Sequence, residues 1–252
     1  MAYTIALAGK GGTGKTTLAA LIIRYLIKKG KTPILAIDAD ANANLHEVLG
    51  VEIPMTVGHL REKSMDEVNK LPAGMPKEQY IEMRIHQCVV EAEGFDLMSM
   101  GRPEGPGCYC YANHLIRKYA DKIGINYPYE VMDNEAGLEH LSRRTTQNID
   151  LMIITSDANM RGLRTVGRIK ELCDELNLEV KRKTLVLSRV NGPADVSAVN
   201  AAIAQLRVEF IGSIPHDRIV EKYDIEGKPL IDLPEECPAV TASSKIFETL
   251  TL

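Results

Sequence analysis

Short apolar runs separated by amphipathic stretches set the rhythm of this chain. Tyr3–Ala8 (YTIALA), Pro33–Ile37 (PILAI), Asp96–Met100 (DLMSM), Glu130–Met132 (EVM), Leu151–Thr155 (LMIIT), Thr184–Leu187 (TLVL) and Phe210–Ile214 (FIGSI) read as short buried strands. After the first run, Leu18, Leu21, Ile22, Tyr25 and Leu26 recur at helical spacing. Lys28 and Lys29 then fall in the last turn and Gly30 supplies the stop. A second helical stripe, Leu163, Val166, Ile169, Leu172, Cys173 and Leu176, follows LMIIT. Strand alternating with helix predicts an α/β fold: one domain over residues 1–252, with a parallel sheet of about seven strands flanked by helices. Residues 52–94 are polar, carry scattered methionines and break the rhythm, which predicts a helical insertion.

Several predicted strands end in polar residues, and an open α/β sheet binds its ligand at those carboxyl ends. The first strand runs into GKGGTGKTT, residues 9–17, where Gly9, Gly14, Lys15 and Thr16 fit G-x-x-x-x-G-K-[ST]. In such a loop, glycines let the backbone N–H groups of Gly11, Gly12, Thr13 and Gly14 curl around phosphates. Lys15 reaches the β/γ oxygens, the Thr16 hydroxyl ligates Mg²⁺, and Thr17 is expected beside them among the nucleotide-binding residues. Two acidic stretches follow strands and are expected to carry chemistry beside those phosphates: DADANAN, Asp38 to Asn44, and DNEAG, Asp133 to Gly137.

Composition narrows the class. Thirty basic against 34 acidic residues give a net charge of −4, which leaves no basic footprint for non-specific nucleic-acid binding. Met1 leads straight into the first strand and no apolar run approaches membrane-spanning length, so a cytoplasmic protein is expected. Five irregularly spaced cysteines do not form a disulfide framework and suit a reducing compartment.

The loop also holds a second lysine, Lys10, which phosphate binding alone does not require. The arrangement G-K-G-G-x-G-K-T-T resembles the deviant phosphate-loop ATPases. That class includes the nitrogenase iron protein, the division-site and partition ATPases, and metal-cluster maturation ATPases. The resemblance implies that Lys10 crosses a nucleotide-sandwich homodimer to its partner's phosphates, so that Lys10 and Lys15 both serve catalysis. It implies that Asp40 activates the hydrolytic water in a first switch running from Asp38 to Asn44, with Asp38 the alternative. The family often has proline after that aspartate, where this chain has Ala41. It further implies that Asp133 meets the Mg²⁺ shell through water in a D-x-x-x-G second switch closed by Gly137. For the base it points to the loops after the last two strands. There Ser188 replaces the family's usual asparagine, Asn191 stands nearby as a substitute, and Pro215, His216 and Asp217 match a Pro-x-Asp loop.

Metal chemistry enters at GRPEGPGCYC, residues 101–110, where Cys108 and Cys110 sit one residue apart. Two thiolates are too few for a closed site of about four ligands, and a two-fold dimer doubles them. Cys173 on its helical stripe and Cys237 before Pro238 read as structural, and Cys88, two residues after His86, as undecided or packing. In the nitrogenase iron protein a second cluster cysteine lies where this chain has His140. A four-iron cluster of that kind is not supported, unless Cys110 replaces the ligand. The C-terminal KIFETLTL lacks the basic amphipathic helix with which division-site ATPases hold membranes. GKGGTGKTT, DNEAGLEH and GPGCYC together resemble the maturation ATPases of nickel carbon monoxide dehydrogenase. That resemblance implies an ATP-hydrolysing homodimer using ATP/ADP, Mg²⁺ and Ni²⁺ or Zn²⁺. Its partner would be the dehydrogenase apo-enzyme, with no nucleic acid and no membrane. An iron–sulfur electron-donor ATPase and a partition or positioning ATPase are the alternatives.

Overall fold

The structure, a computed structural model, describes residues 2–40, 42–59, 75–101, 122–135 and 148–252. Its strands are β1 (Tyr3–Gly9), β2 (Ile34–Ala39), β3 (Val89–Glu91), β4 (Phe95–Ser99), β5 (Tyr129–Asn134), β6 (Asn148–Asp157), β7 (Glu179–Val190) and β8 (Glu209–Pro215). They form one sheet in the order β3-β4-β2-β5-β1-β6-β7-β8. Every pairing is parallel except β3 with β4. The helices are α1 (Lys15–Lys28), α2 (Leu45–Leu49), α3 (Lys77–His86), α4 (Met160–Glu175), α5 (Pro193–Leu206), α6 (Arg218–Glu226) and α7 (Pro238–Thr249).

The expected α/β sheet is present, with one strand more than the apolar runs predicted. β3 lies within residues 52–94, where a helical insertion was expected. The described part of that stretch holds α3 and also this three-residue strand, too short to leave a periodic signal. β7 begins five residues before TLVL, at Glu179–Lys183, a charged stretch that pairs with the start of β6. There Lys181 pairs with Asp150 and Arg182 with Glu209.

Alternation along the central strands divides the core into two layers. Ile5 and Leu7 of β1 face one side with Leu18, Leu21, Ile22 and Leu26 of α1 and Phe247 of α7. Ala6 and Ala8 face the other with Leu163, Val166, Ile169 and Cys173 of α4. Each fully buried Leu, Ile, Val or Phe among them contributes about 1.5–3 kcal/mol. Both layers leave the carboxyl ends of β1, β2, β5, β6 and β7 at one edge, and the polar residues converge there.

Candidate functional site at the carboxyl edge of the sheet

β1 ends at Gly9, and the chain turns over this edge before α1 begins. Gly9 has φ +149° because it passes close under β6: a Cβ there would lie 2.5 Å from the Thr155 carbonyl oxygen. Gly14, at φ +80°, is the left-handed residue from which α1 starts. Three contacts hold the loop between them. The Thr13 hydroxyl donates to the Lys10 carbonyl (2.8 Å) and lies 2.8 Å from the Thr155 hydroxyl. From β7, the Ser188 hydroxyl donates to the Thr13 carbonyl (2.6 Å). Lys10, Gly11 and Gly12 are exposed at the tip, while Thr13 and Lys15 are buried.

Lys15 is 7% exposed and its Nζ donates to the carbonyls of Gly9 (3.3 Å) and Lys10 (3.4 Å). Burial lowers its pKa, against the opposing pull of Asp133, Asp40 and Glu135. Beside it the Thr16 hydroxyl donates to Asp133 Oδ2 (2.6 Å), and the other oxygen, Oδ1, is buried without a hydrogen-bond partner. Burial pushes the Asp133 carboxyl up to about 7, and neighbouring Asp38 adds to the rise; the Thr16 bond works against it. A hydroxyl and a half-satisfied carboxylate are hard oxygen donors of the kind Mg²⁺ takes, directly or through its retained waters. The residues present therefore fit a magnesium ion with its nucleotide phosphates.

The two aspartates of the first acidic stretch occupy different surroundings. Asp38 is the register partner of Asp133 on the adjacent strand and is fully buried. Its Oδ1 accepts from the Asp40 amide (3.1 Å) and its Oδ2 from the Leu45 amide (2.9 Å), so it fastens the loop to α2. Burial raises its carboxyl to about 6 despite these donors. Asp40 is half-buried above it, and its Oδ1 accepts from the Asn42 amide (2.8 Å) and side chain (3.1 Å). Asn44 is exposed and precedes α2 without a side-chain cap. Thr17 continues α1 beside the loop, half-buried.

At the expected base site, Ser188 is turned to the phosphate loop. Asn191 lies further out, its amide and side chain donating to Asp195 Oδ2 (3.0 and 3.3 Å). Pro215 ends β8 opposite Val190. The His216 amide donates to the Val190 carbonyl (3.0 Å), and its Nε2 lies 2.9 Å from Glu221 Oε1. Asp217 is buried as the N-cap of α6, accepting from Ile219 N (2.8 Å), Ala239 N (2.9 Å) and the Cys237 thiol (2.9 Å). Burial alone would raise that carboxyl, but these donors outweigh it and hold it below the usual range. Cys173 and Cys88 are buried, the latter against the Arg84 carbonyl.

Cys108, Cys110, Gly137 and His140 lie outside the described residues. Among the described residues, no group of three or more His, Cys, Asp or Glu side chains is placed to hold a metal ion, and no helix is long and apolar enough to cross a membrane. Periodicity did not reveal Thr155, the residue that ties β6 to the loop. Its one signal in the sequence is a polar residue closing the run LMIIT.

Comparison with known proteins places this geometry in context. An uncharacterized ATP-binding protein of Methanocaldococcus jannaschii is 45% identical over 248 residues, 98% of this chain and 97% of the relative. The carbon monoxide dehydrogenase accessory protein CooC of Rhodospirillum rubrum is 29% identical, with 92% and 91% of the two chains covered. The MinD cell division protein of Aquifex aeolicus has the same fold, with a TM-score of 0.70 and 24% identity over 99% of this chain and 97% of that one. So does the septum site-determining protein MinD of Pyrococcus horikoshii, solved with Mg-ADP, at a TM-score of 0.73 and 18% identity over 99% and 96%. The profile of the CobQ/CobB/MinD/ParA nucleotide binding domain matches residues 4–230, and the chain belongs to that family of nucleotide-binding proteins.

Proposed function

We propose that the chain is an ATP-hydrolysing, nucleotide-switched homodimer that assists nickel insertion into carbon monoxide dehydrogenase. One observation carries the client: the likeness to the Rhodospirillum rubrum accessory protein runs nearly end to end through a sequence that holds Cys108 and Cys110. In this reading the amides of Gly11–Gly14 and the Lys15 ammonium hold the phosphates. Thr16 binds Mg²⁺ and Asp133 meets its water shell. Magnesium, when bound, offsets charge on the β and γ oxygens. Asp40, half-buried and within electrostatic reach of Lys15, orients the attacking water. Lys10, exposed at the loop tip, acts on the phosphates of the second subunit. Adenine is read by Asn191 and the Pro215–His216 turn, while Ser188 and Asp217 secure the loops behind it. The Cys108 and Cys110 thiolates of both subunits hold Ni²⁺ or Zn²⁺ as cargo.

Anaerobic metal analysis of the dimer, with and without ATP, tests this directly. Two thiolates per subunit predict one ion per dimer, bound more weakly as pH falls because the ligands must be deprotonated. The Cys108→Ala/Cys110→Ala double variant should lose the ion and keep ATP. Unchanged nickel and zinc content would sink the metal assignment, and stoichiometric iron and sulfide would favour an electron donor.

A positioning ATPase is the second reading, favoured by the fold shared with the MinD proteins. Co-sedimentation of the ATP form with anionic vesicles or duplex DNA would support it.

A further inference from the structure

α4 carries its charges in an order that works against its own stability. Arg161, Arg164 and Arg168 are exposed and recur at i, i+3 and i+7, one stripe about 10 Å long on one helix face. They occupy the first half of the helix, whose first turn has no acidic residue, while Glu171, Asp174 and Glu175 follow in the second half. Helix ends favour the opposite arrangement, acids at the start and bases at the end. No carboxylate among the described residues pairs with the three guanidinium groups. The neighbouring cations, by contrast, are engaged: Arg189 with Asp157 (2.6 Å) and Lys170 with the Leu206 carbonyl (3.2 Å). At the head of the stripe Met160 is 51% exposed.

We propose that this stripe is a docking surface for an acidic segment of a partner protein. Arginine presents a planar fork that binds carboxylates two at a time. Arginine and methionine are enriched where proteins meet, while lysine is depleted there. The stripe holds three arginines, an exposed methionine and no lysine, the composition of a protein contact, and the chain's net charge of −4 provides no wider basic field for a nucleic acid or a membrane. Its position adds a consequence. α4 is capped by Asn159, whose side chain accepts from the Gly162 amide (2.9 Å), and it leaves β6 just past Thr155, which touches the phosphate loop. A partner seated on the stripe therefore sits on the nucleotide side of the molecule, on a helix fixed to the strand that touches that loop. The inference does not depend on which client is served.

The test compares wild type with R161Q/R164Q/R168Q, glutamine keeping the helix propensity and most of the length. The probes are poly-L-glutamate, a duplex DNA and phosphatidylserine vesicles, each titrated at low and at moderate salt. Wild type should bind poly-L-glutamate in preference to the other two, with affinity falling as salt rises. The triple variant should bind it at least about tenfold more weakly. ATP affinity should be unchanged and the melting temperature unchanged or higher, since the substitutions relieve the helix dipole. Equal poly-L-glutamate binding by the two proteins overturns the proposal, as does tighter wild-type binding to DNA or vesicles. A lowered melting temperature would also overturn it, by showing the arginines to be structural. Carbon monoxide dehydrogenase apo-enzyme makes a separate arm: if neither protein binds it, the client assignment fails and the poly-L-glutamate result still decides the stripe.

Discussion

The roles proposed for Lys15 and Asp40 are ones that substitution should separate. Lys15→Ala removes a buried charge from the phosphate cradle and should weaken ATP binding by about a hundredfold in calorimetry. Asp40→Ala should leave ATP affinity within about threefold and lower phosphate release by about 10²–10³, because positioning water acts in the transition state. Wild-type turnover by Asp40→Ala would remove that residue from the reaction. Asp133 makes a prediction about stability. Its native pKa, raised to about 7 by burial, lies above the ordinary value of 3.8. The native state then binds more protons than the unfolded chain between those values, so nucleotide-free protein should lose stability as pH rises from about 4 to about 7. Asp133→Asn should flatten that dependence and raise the melting temperature at pH 8, by about 2–4 °C for each kcal/mol gained. It should also weaken Mg²⁺-dependent ATP binding. A melting temperature at pH 8 below that of wild type would refute the account.

Between elements, Ser188 ties β7 to the loop that begins α1. Ser188→Ala should cost about 1–2 kcal/mol, because it leaves the buried Thr13 carbonyl short of a donor. ATP and GTP affinity should fall together; a loss confined to ATP would return Ser188 to the base site. This residue also shows how far the sequence could be read. Spacing located the phosphate loop, because glycines and a lysine at fixed intervals are a local property of the chain. It located α1 and α4, whose apolar stripes are long. It did not reveal where the Ser188 hydroxyl points, since its partner is 175 positions away. β3 escaped because three residues carry no period, and the first half of β7 because its run of charged residues reads as loop. Asp38 and Asp40 stand two residues apart in one acidic stretch, yet Asp38 lies inside β2 and is buried, whereas Asp40 falls just past the strand's end and is half-buried.

For the whole molecule, α7 shows how the C-terminal part of the chain closes one core layer. Phe247 is fully buried, its ring 5.4 Å from that of Tyr25 on α1. Phe247→Ala should destabilise by about 3–5 kcal/mol in a denaturant titration, with ATP affinity of the folded fraction preserved because the cavity lies away from the loop. Assembly is a separate property. Lys10→Ala should reduce ATP-driven dimer by light scattering more than it reduces nucleotide binding, and equal dimer populations would end the cross-subunit role. The contacts that secure the loop span 117 positions from Thr16 to Asp133, 142 from Thr13 to Thr155 and 175 from Thr13 to Ser188. Such contacts form only after long stretches of chain have closed. A nascent chain still short of β7 has every residue of the glycine loop and lacks the last of these contacts to brace it. Phosphate binding should therefore be tight only once β7 has joined the sheet, and ATP should stabilise the molecules in which it has.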